Sequence, residues 1–118
     1  MTPTQRTLAK LKADGYKAGI VERFIPRRNI RIDLFNIIDI IAIEPGEILG
    51  VQSTGSAFSE HWHKLTEDKA QESYDWIKAG GILELWGWRK LKVKRGGKAM
   101  RWEPRIKQIT IHDLKLDQ

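Results

Sequence analysis

The chain has 118 residues, 41% hydrophobic and 31% charged, with 21 Lys and Arg against 15 Asp and Glu. Its length is that of a single domain, residues 1–118, with enough apolar content for a packed core. It has no cysteine, which excludes a disulfide scaffold, a thiolate nucleophile and every cysteine-based metal site. No apolar run reaches the ~18 residues of a spanning helix and no signal-peptide core opens the chain, so a soluble, cytoplasmic protein without a membrane partner is expected.

Thr2-Pro3-Thr4 reads as a helix start, with Pro in the first turn, Leu8 and Leu11 as the apolar stripe and Gly15 as the stop. Tyr16 to Phe24 is rich in β-formers and reads as a first strand. Pro26 to Arg31 is a basic loop. Leu34 to Ile43, the most apolar run, is bounded by Pro45-Gly46 and reads as a central strand buried on both faces. Glu44 to Glu47 is a tight turn, with Ile48 to Thr54 as the antiparallel partner. A short helix is expected from about Ala57 to Leu65. Thr66 is then read as the cap of a second helix, with Ala70, Tyr74 and Ile77 facing inward and Gly80-Gly81 ending it. Ile82 to Lys94 and Ala99 to Ile111 read as two strands joined by Arg95-Gly96-Gly97-Lys98. The expected fold is a mixed α/β sandwich in the order α-β-β-β-α-β-β, with helices packed on a central sheet.

The net charge of +6 is unevenly placed. Between Arg89 and Lys107 lie nine basic residues and one acid, Glu103; the remainder holds twelve basic and fourteen acidic residues. A single-sign cluster is the footprint of a polyanion binder, and a solvated, lysine-rich hairpin is the plainer reading. Arg89, Lys92, Lys94, Arg95, Lys98 and Arg101 are the candidate phosphate contacts on the basic hairpin at about 82–111. Arg27, Arg28 and Arg31 form a second positive patch. Five tryptophans are present, and Trp86 and Trp88 share a strand face. That face either packs on the core or stacks on bases.

Asp39 is the residue out of place. It interrupts Asn-Ile-Ile-Asp-Ile-Ile-Ala-Ile, and a buried carboxylate must be paired, protonated or metal-bound. Across the Pro-Gly turn, Gln52 and Thr54 share one face of the next strand, so the spacing Asp-x12-Gln-x-Thr gathers three oxygen-bearing side chains. Glu22, in the first strand, is a further candidate ligand, or else salt-bridged or exposed. Asp33, just before the second strand, is another carboxylate that can join Asp39, or else pairs with Arg31 or Arg28 in the loop.

Leu11-Lys12-Ala13-Asp14-Gly15-Tyr16, the basic loop, Asp39-Ile40-Ile41-Ala42 and Gln52-Ser53-Thr54 together resemble the PD-(D/E)XK nuclease superfamily. The likeness covers roughly residues 3 to 80 and is nearest to the archaeal Holliday-junction resolvase and phage-type branch. It implies a restriction-endonuclease-like core, a bacterial or phage-infected cytoplasm, branched DNA as partner, a homodimer, and Mg²⁺ or Mn²⁺ held through hard oxygen ligands. By resemblance, Asp39 is the metal-ligating acid, Gln52 stands where the second acid belongs and Thr54 where the lysine belongs. Gln52 keeps a carbonyl oxygen without a charge, and Thr54 cannot replace a cation. The first-helix acid of the family has no counterpart among Thr4, Gln5 and Arg6, where Gln5 is the nearest substitute. A lysine from a neighbouring element is a known variation of the family, and Lys64 lies one helical turn from His61. His61 and His63, two residues apart, do not face each other on a helix. The expected function is therefore a metal-dependent DNA endonuclease acting on branched DNA. The alternatives are an inactive nuclease fold that only binds nucleic acid, and a structural or assembly protein.

Overall fold

The computed structural model describes residues 1–116. The fold is α/β, with a mixed five-stranded sheet between helical layers. Helix α1 (Pro3–Ala13) leads into strands β1 (Lys17–Ile20), β2 (Arg23–Ile25), β3 (Ile30–Ile32), β4 (Ile40–Glu44) and β5 (Glu47–Thr54). Helix α2 (Phe58–His63), a π-helical turn (Lys64–Asp68), α3 (Ala70–Lys78), β6 (Ile82–Lys92) and β7 (Met100–Ile109) follow. The sheet order is β1-β4-β5-β6-β7, and β2 and β3 form a separate hairpin. Only the β5–β6 pair is parallel; the α2–α3 segment is its crossover.

Helix α1 begins as the sequence predicts. The Thr2 hydroxyl accepts from the Gln5 amide, and Gln5 Oε1 accepts from the Thr2 amide, a reciprocal capping box. Gly15 leaves the helix at φ 97°, a conformation only glycine adopts freely. The face toward α1 buries Leu11, Ile40, Ala42, Leu49, Val51, Trp86 and Trp88. The opposite face buries Ile37, Ile38, Leu65, Leu83, Leu85 and Ile109 under α2 and α3. Gly87 admits the Phe58 ring of α2, because a Cβ there would lie 2.5 Å from Phe58 Cδ2.

Four expectations are corrected. The Tyr16–Phe24 strand is two strands, broken at Val21-Glu22. The Leu34–Ile43 run is not one strand. Phe35 (φ 54°) and Asn36 (φ 63°) make a left-handed turn closed by a Leu34–Ile38 bridge, and β4 starts only at Ile40. The strand buried along most of its length is therefore β5, the middle of the sheet. Thr66 does not cap a helix. It is buried in the π-helical turn, its hydroxyl donating to the Trp62 carbonyl at 2.7 Å. The order of elements thus carries an extra β2–β3 hairpin beyond α-β-β-β-α-β-β. No helix among the described residues is long and apolar enough to cross a membrane.

Candidate active site

Three strand ends meet at one end of the sheet. β1 and β5 both run antiparallel to β4, so their C-terminal ends lie beside the start of β4. Asp39 sits just before β4, and its backbone is held on both sides. Its carbonyl accepts from the Val21 amide at 2.8 Å, and its amide donates to the Val51 carbonyl at 2.9 Å. The carboxylate is thereby fixed, and the residue is only 3% exposed.

The Asp39 carboxylate accepts three hydrogen bonds among the described residues. Gln52 Nε2 donates to Oδ1 at 2.5 Å, while the Ser53 amide and Ser53 Oγ each donate to Oδ2 at 2.8 Å. Ser53 Oγ in turn lies 3.0 Å from Thr4 Oγ1 of α1. Two further carboxylates close on Asp39. Glu22 follows β1 and Asp33 precedes the left-handed turn, and ligand atoms of Glu22, Asp33 and Asp39 lie within 4.8 Å of one another. Burial, followed by the charge of Asp33, drives the Asp39 pKa up to about 7, against the lowering effect of the Ser53 hydrogen bonds.

A cation faces this cluster. Lys64 Nζ donates to Gln52 Oε1 at 2.7 Å and lies 3.5 Å from Asp33 Oδ2. The Gln52 amide is thus a bridge: its nitrogen serves Asp39 and, at 2.9 Å, Asp33, and its oxygen serves Lys64. Lys64 stands where α2 passes into the π-helical turn, whose Lys69 amide bonds the Lys64 carbonyl at 2.7 Å. Single π-turns recur at functional sites because the wider turn re-aims a side chain. His61, one turn earlier, has Nδ1 buried without a partner among the described residues. Burial, then the Lys64 charge, lowers its pKa and holds the ring neutral.

The structure brings together Asp39, Gln52, Glu22 and Lys64, with His61 beside them. It does not bring in Thr54, which makes no side-chain hydrogen bond to the cluster among the described residues. Residue alternation sends Gln52 toward α2 and Ser53 toward α1, yet Asp39 lies beyond the paired part of β4 and accepts from both. Of the two readings of Asp33 the structure takes the one in the cluster: it faces Gln52 and Lys64, and it is Glu22 that pairs with Arg31, at 3.1 Å. Gln5 is spent in the helix cap, and Thr4 is the α1 residue that reaches the site. Ser53 is the residue that sequence reasoning missed. The only signal for Ser53 was its place beside Gln52; the Phe35-Asn36 turn is what folds Asp33 back to the cluster.

Two basic arms flank this end of the sheet. Arg27, Arg28 and Arg31 are exposed on the β2–β3 hairpin, which leaves from the end of β1. On the other side β6 runs five residues past its last pair with β5, Thr54–Gly87, carrying β7 with it. Arg89, Lys92, Lys94, Arg95, Lys98 and Arg101 lie there, and all six are exposed along the arm. Trp86 and Trp88 face inward, 3% and 7% exposed, and Trp88 Nε1 donates to Thr7 Oγ1 at 2.8 Å. They are core residues and stack on no base. No protein-family model, curated protein or solved structure matches the chain.

Proposed function

We propose that this protein is a metal-dependent DNA endonuclease of the PD-(D/E)XK kind, with its lysine supplied from the helix after β5. The observation that carries this reading is the approach of Lys64 Nζ to Gln52 and Asp33 beside three converging carboxylates. Two half-buried carboxylates crowding a buried one are costly, and their convergence suits a site built to receive a cation. The donors are oxygen atoms of Glu22, Asp33 and Asp39, the hard set that Mg²⁺ or Mn²⁺ takes. A bound ion of this class polarises a phosphate and lowers the pKa of water.

The chain's own residues divide the remaining work. Glu22, Asp33 and Asp39 would hold the ion. With a pKa raised to about 7, Asp39 would give up its proton on binding a cation at neutral pH. Ser53 and Gln52 orient the Asp39 carboxylate. Lys64 supplies positive charge where a scissile phosphate gains negative charge, replacing the lysine that Thr54 does not provide. The two basic arms lie about three to four strand spacings apart, ~15–20 Å, a span that receives a nucleic-acid backbone on either side of the site.

Cleavage of a labelled four-way junction and of its duplex arms, with Mg²⁺ and with Mn²⁺, tests the proposal. Metal-dependent cutting lost in Asp39→Ala supports it, and no cutting with either metal rejects it. A second reading, a nuclease fold that binds without cutting, is favoured by the uncharged Gln52 in place of an acid. Tight binding without cleavage selects that reading.

A further inference from the structure

Beyond the end of β5 the sheet opens into a groove. β6 residues 88–92 have no strand partner on the side where β5 would continue. The space there, about 450 Å³, is lined by Trp88, Trp102, Phe58, Arg89, Lys90 and Arg105, with no acidic side chain on its walls. Trp102 is 43% exposed, although the Arg6 guanidinium sits 4.1 Å from its ring centroid. Arg105 lies 4.1 Å from the centroid of the Phe58 ring. A large exposed indole among guanidinium groups is not required by the core, which Trp86 and Trp88 already fill on that face.

We propose that this groove is a subsite for one unpaired nucleotide, its base stacked on Trp102 and its phosphate held by Arg89, Lys90 and Arg105. The volume falls in the range of small-ligand pockets. Aromatic faces bordered by cations are the chemistry that binds single-stranded nucleic acid without sequence preference. Charge excludes a basic partner. The groove floor begins at Gly55, two residues after Ser53, which bonds Asp39. Trp102 pairs with Lys90, four residues beyond Trp86, the partner of Ser53, and lies two strands from it, so the stacked base is ~15–20 Å from Ser53, on a strand that leads away from the carboxylate cluster. The substrate class is thus nucleic acid with a single-stranded element a few nucleotides from the carboxylate cluster, rather than continuous duplex.

This inference rests on the nucleic-acid part of the proposed function and not on cleavage, so it is tested in EDTA. Fluorescence anisotropy compares a blunt duplex with the same duplex bearing a single-stranded oligothymidine extension. Trp102→Ala is expected to weaken binding of the extended duplex ~10-fold, the loss of one stacked base, and of the blunt duplex by less than ~2-fold. Trp102→Phe is expected to retain most of the affinity, which separates stacking from a folding defect. Equal losses on both substrates, no loss in Trp102→Ala, or displacement of the extension by polyglutamate at matched charge would each overturn the subsite. Failure of the metal-dependent cleavage assay alone rejects the endonuclease and leaves the subsite standing.

Discussion

Lys64 Nζ donates to Gln52 Oε1 at 2.7 Å, joining the first residue of a π-helical turn to a strand of the sheet's centre. They stand twelve positions apart in the chain, and Gly87 lets Phe58, on the helix that leads to Lys64, seat closely on β6. If Lys64 is the catalytic cation, Lys64→Ala should lower single-turnover cleavage ~100-fold or more, the usual cost of removing one transition-state charge partner. Binding of the same junction in EDTA should change little. Unchanged cleavage in the variant would remove Lys64 from the site.

Gln52→Glu would place a fourth carboxylate beside Glu22, Asp33 and Asp39. Without metal the like charges repel, so the melting temperature in EDTA should fall. With Mn²⁺ the added acid should tighten binding several-fold by calorimetry, because a hard cation prefers a charged oxygen. A variant that is destabilised equally with and without Mn²⁺ would argue against a cation site.

The pH dependence follows from Asp39. Its folded-state pKa, about 7, lies above the ordinary value of 3.8, because burial and Asp33 oppose the charged form. The protonated form therefore favours folding. Its contribution is complete below about 4 and is lost as pH rises through about 7, with a ceiling of roughly 4 kcal/mol. Metal-free protein should lose thermal stability between pH 5 and 8, and Asp39→Asn should flatten that slope. Adding Mg²⁺ at pH 8 should restore stability to the wild type. A wild-type melting temperature that rises from pH 5 to 8 in EDTA would contradict this environment.

Gly87→Ala tests the packing that sets Lys64. The new Cβ would lie 2.5 Å from Phe58 Cδ2, so the ring and α2 must shift. Overpacking of this kind costs ~1–3 kcal/mol, and cleavage should fall further than stability alone explains. Denaturant unfolding beside a cleavage assay separates the two.

The hairpin cations should act through phosphates. Replacing Lys92, Lys94 and Arg95 with Ala should weaken binding alike across sequences. It should also shallow the log–log salt dependence by up to ~0.9 for each phosphate no longer neutralised. A weakening confined to one sequence would indicate base reading instead.

Much of this arrangement is written locally in the chain. The Thr2-Pro3 start, the Gly15 stop, the Glu44–Glu47 turn and the Gly96-Gly97 hairpin all form where their residue types require, because caps and turns depend on neighbours a few positions away. The charge surplus from Arg89 to Lys107 and the misfit of Asp39 were also legible, since both are properties of composition within a short window. The break of the Leu34–Ile43 run was not. Phe35 takes a left-handed conformation that its own side chain disfavours, and burial of Ile37 and Ile38 beneath α2 and α3 sustains it. That turn brings Asp33 to the cluster. Nor does residue alternation predict Ser53 as a partner of Asp39, because that rule applies within paired strands and Asp39 lies outside one. The linear chain establishes that a buried acid and a concentrated positive charge share one small α/β fold. Which groups meet that acid is a tertiary matter, because Glu22, Asp33, Gln52, Ser53 and Lys64 converge through long-range strand order and helix seating that no local window contains.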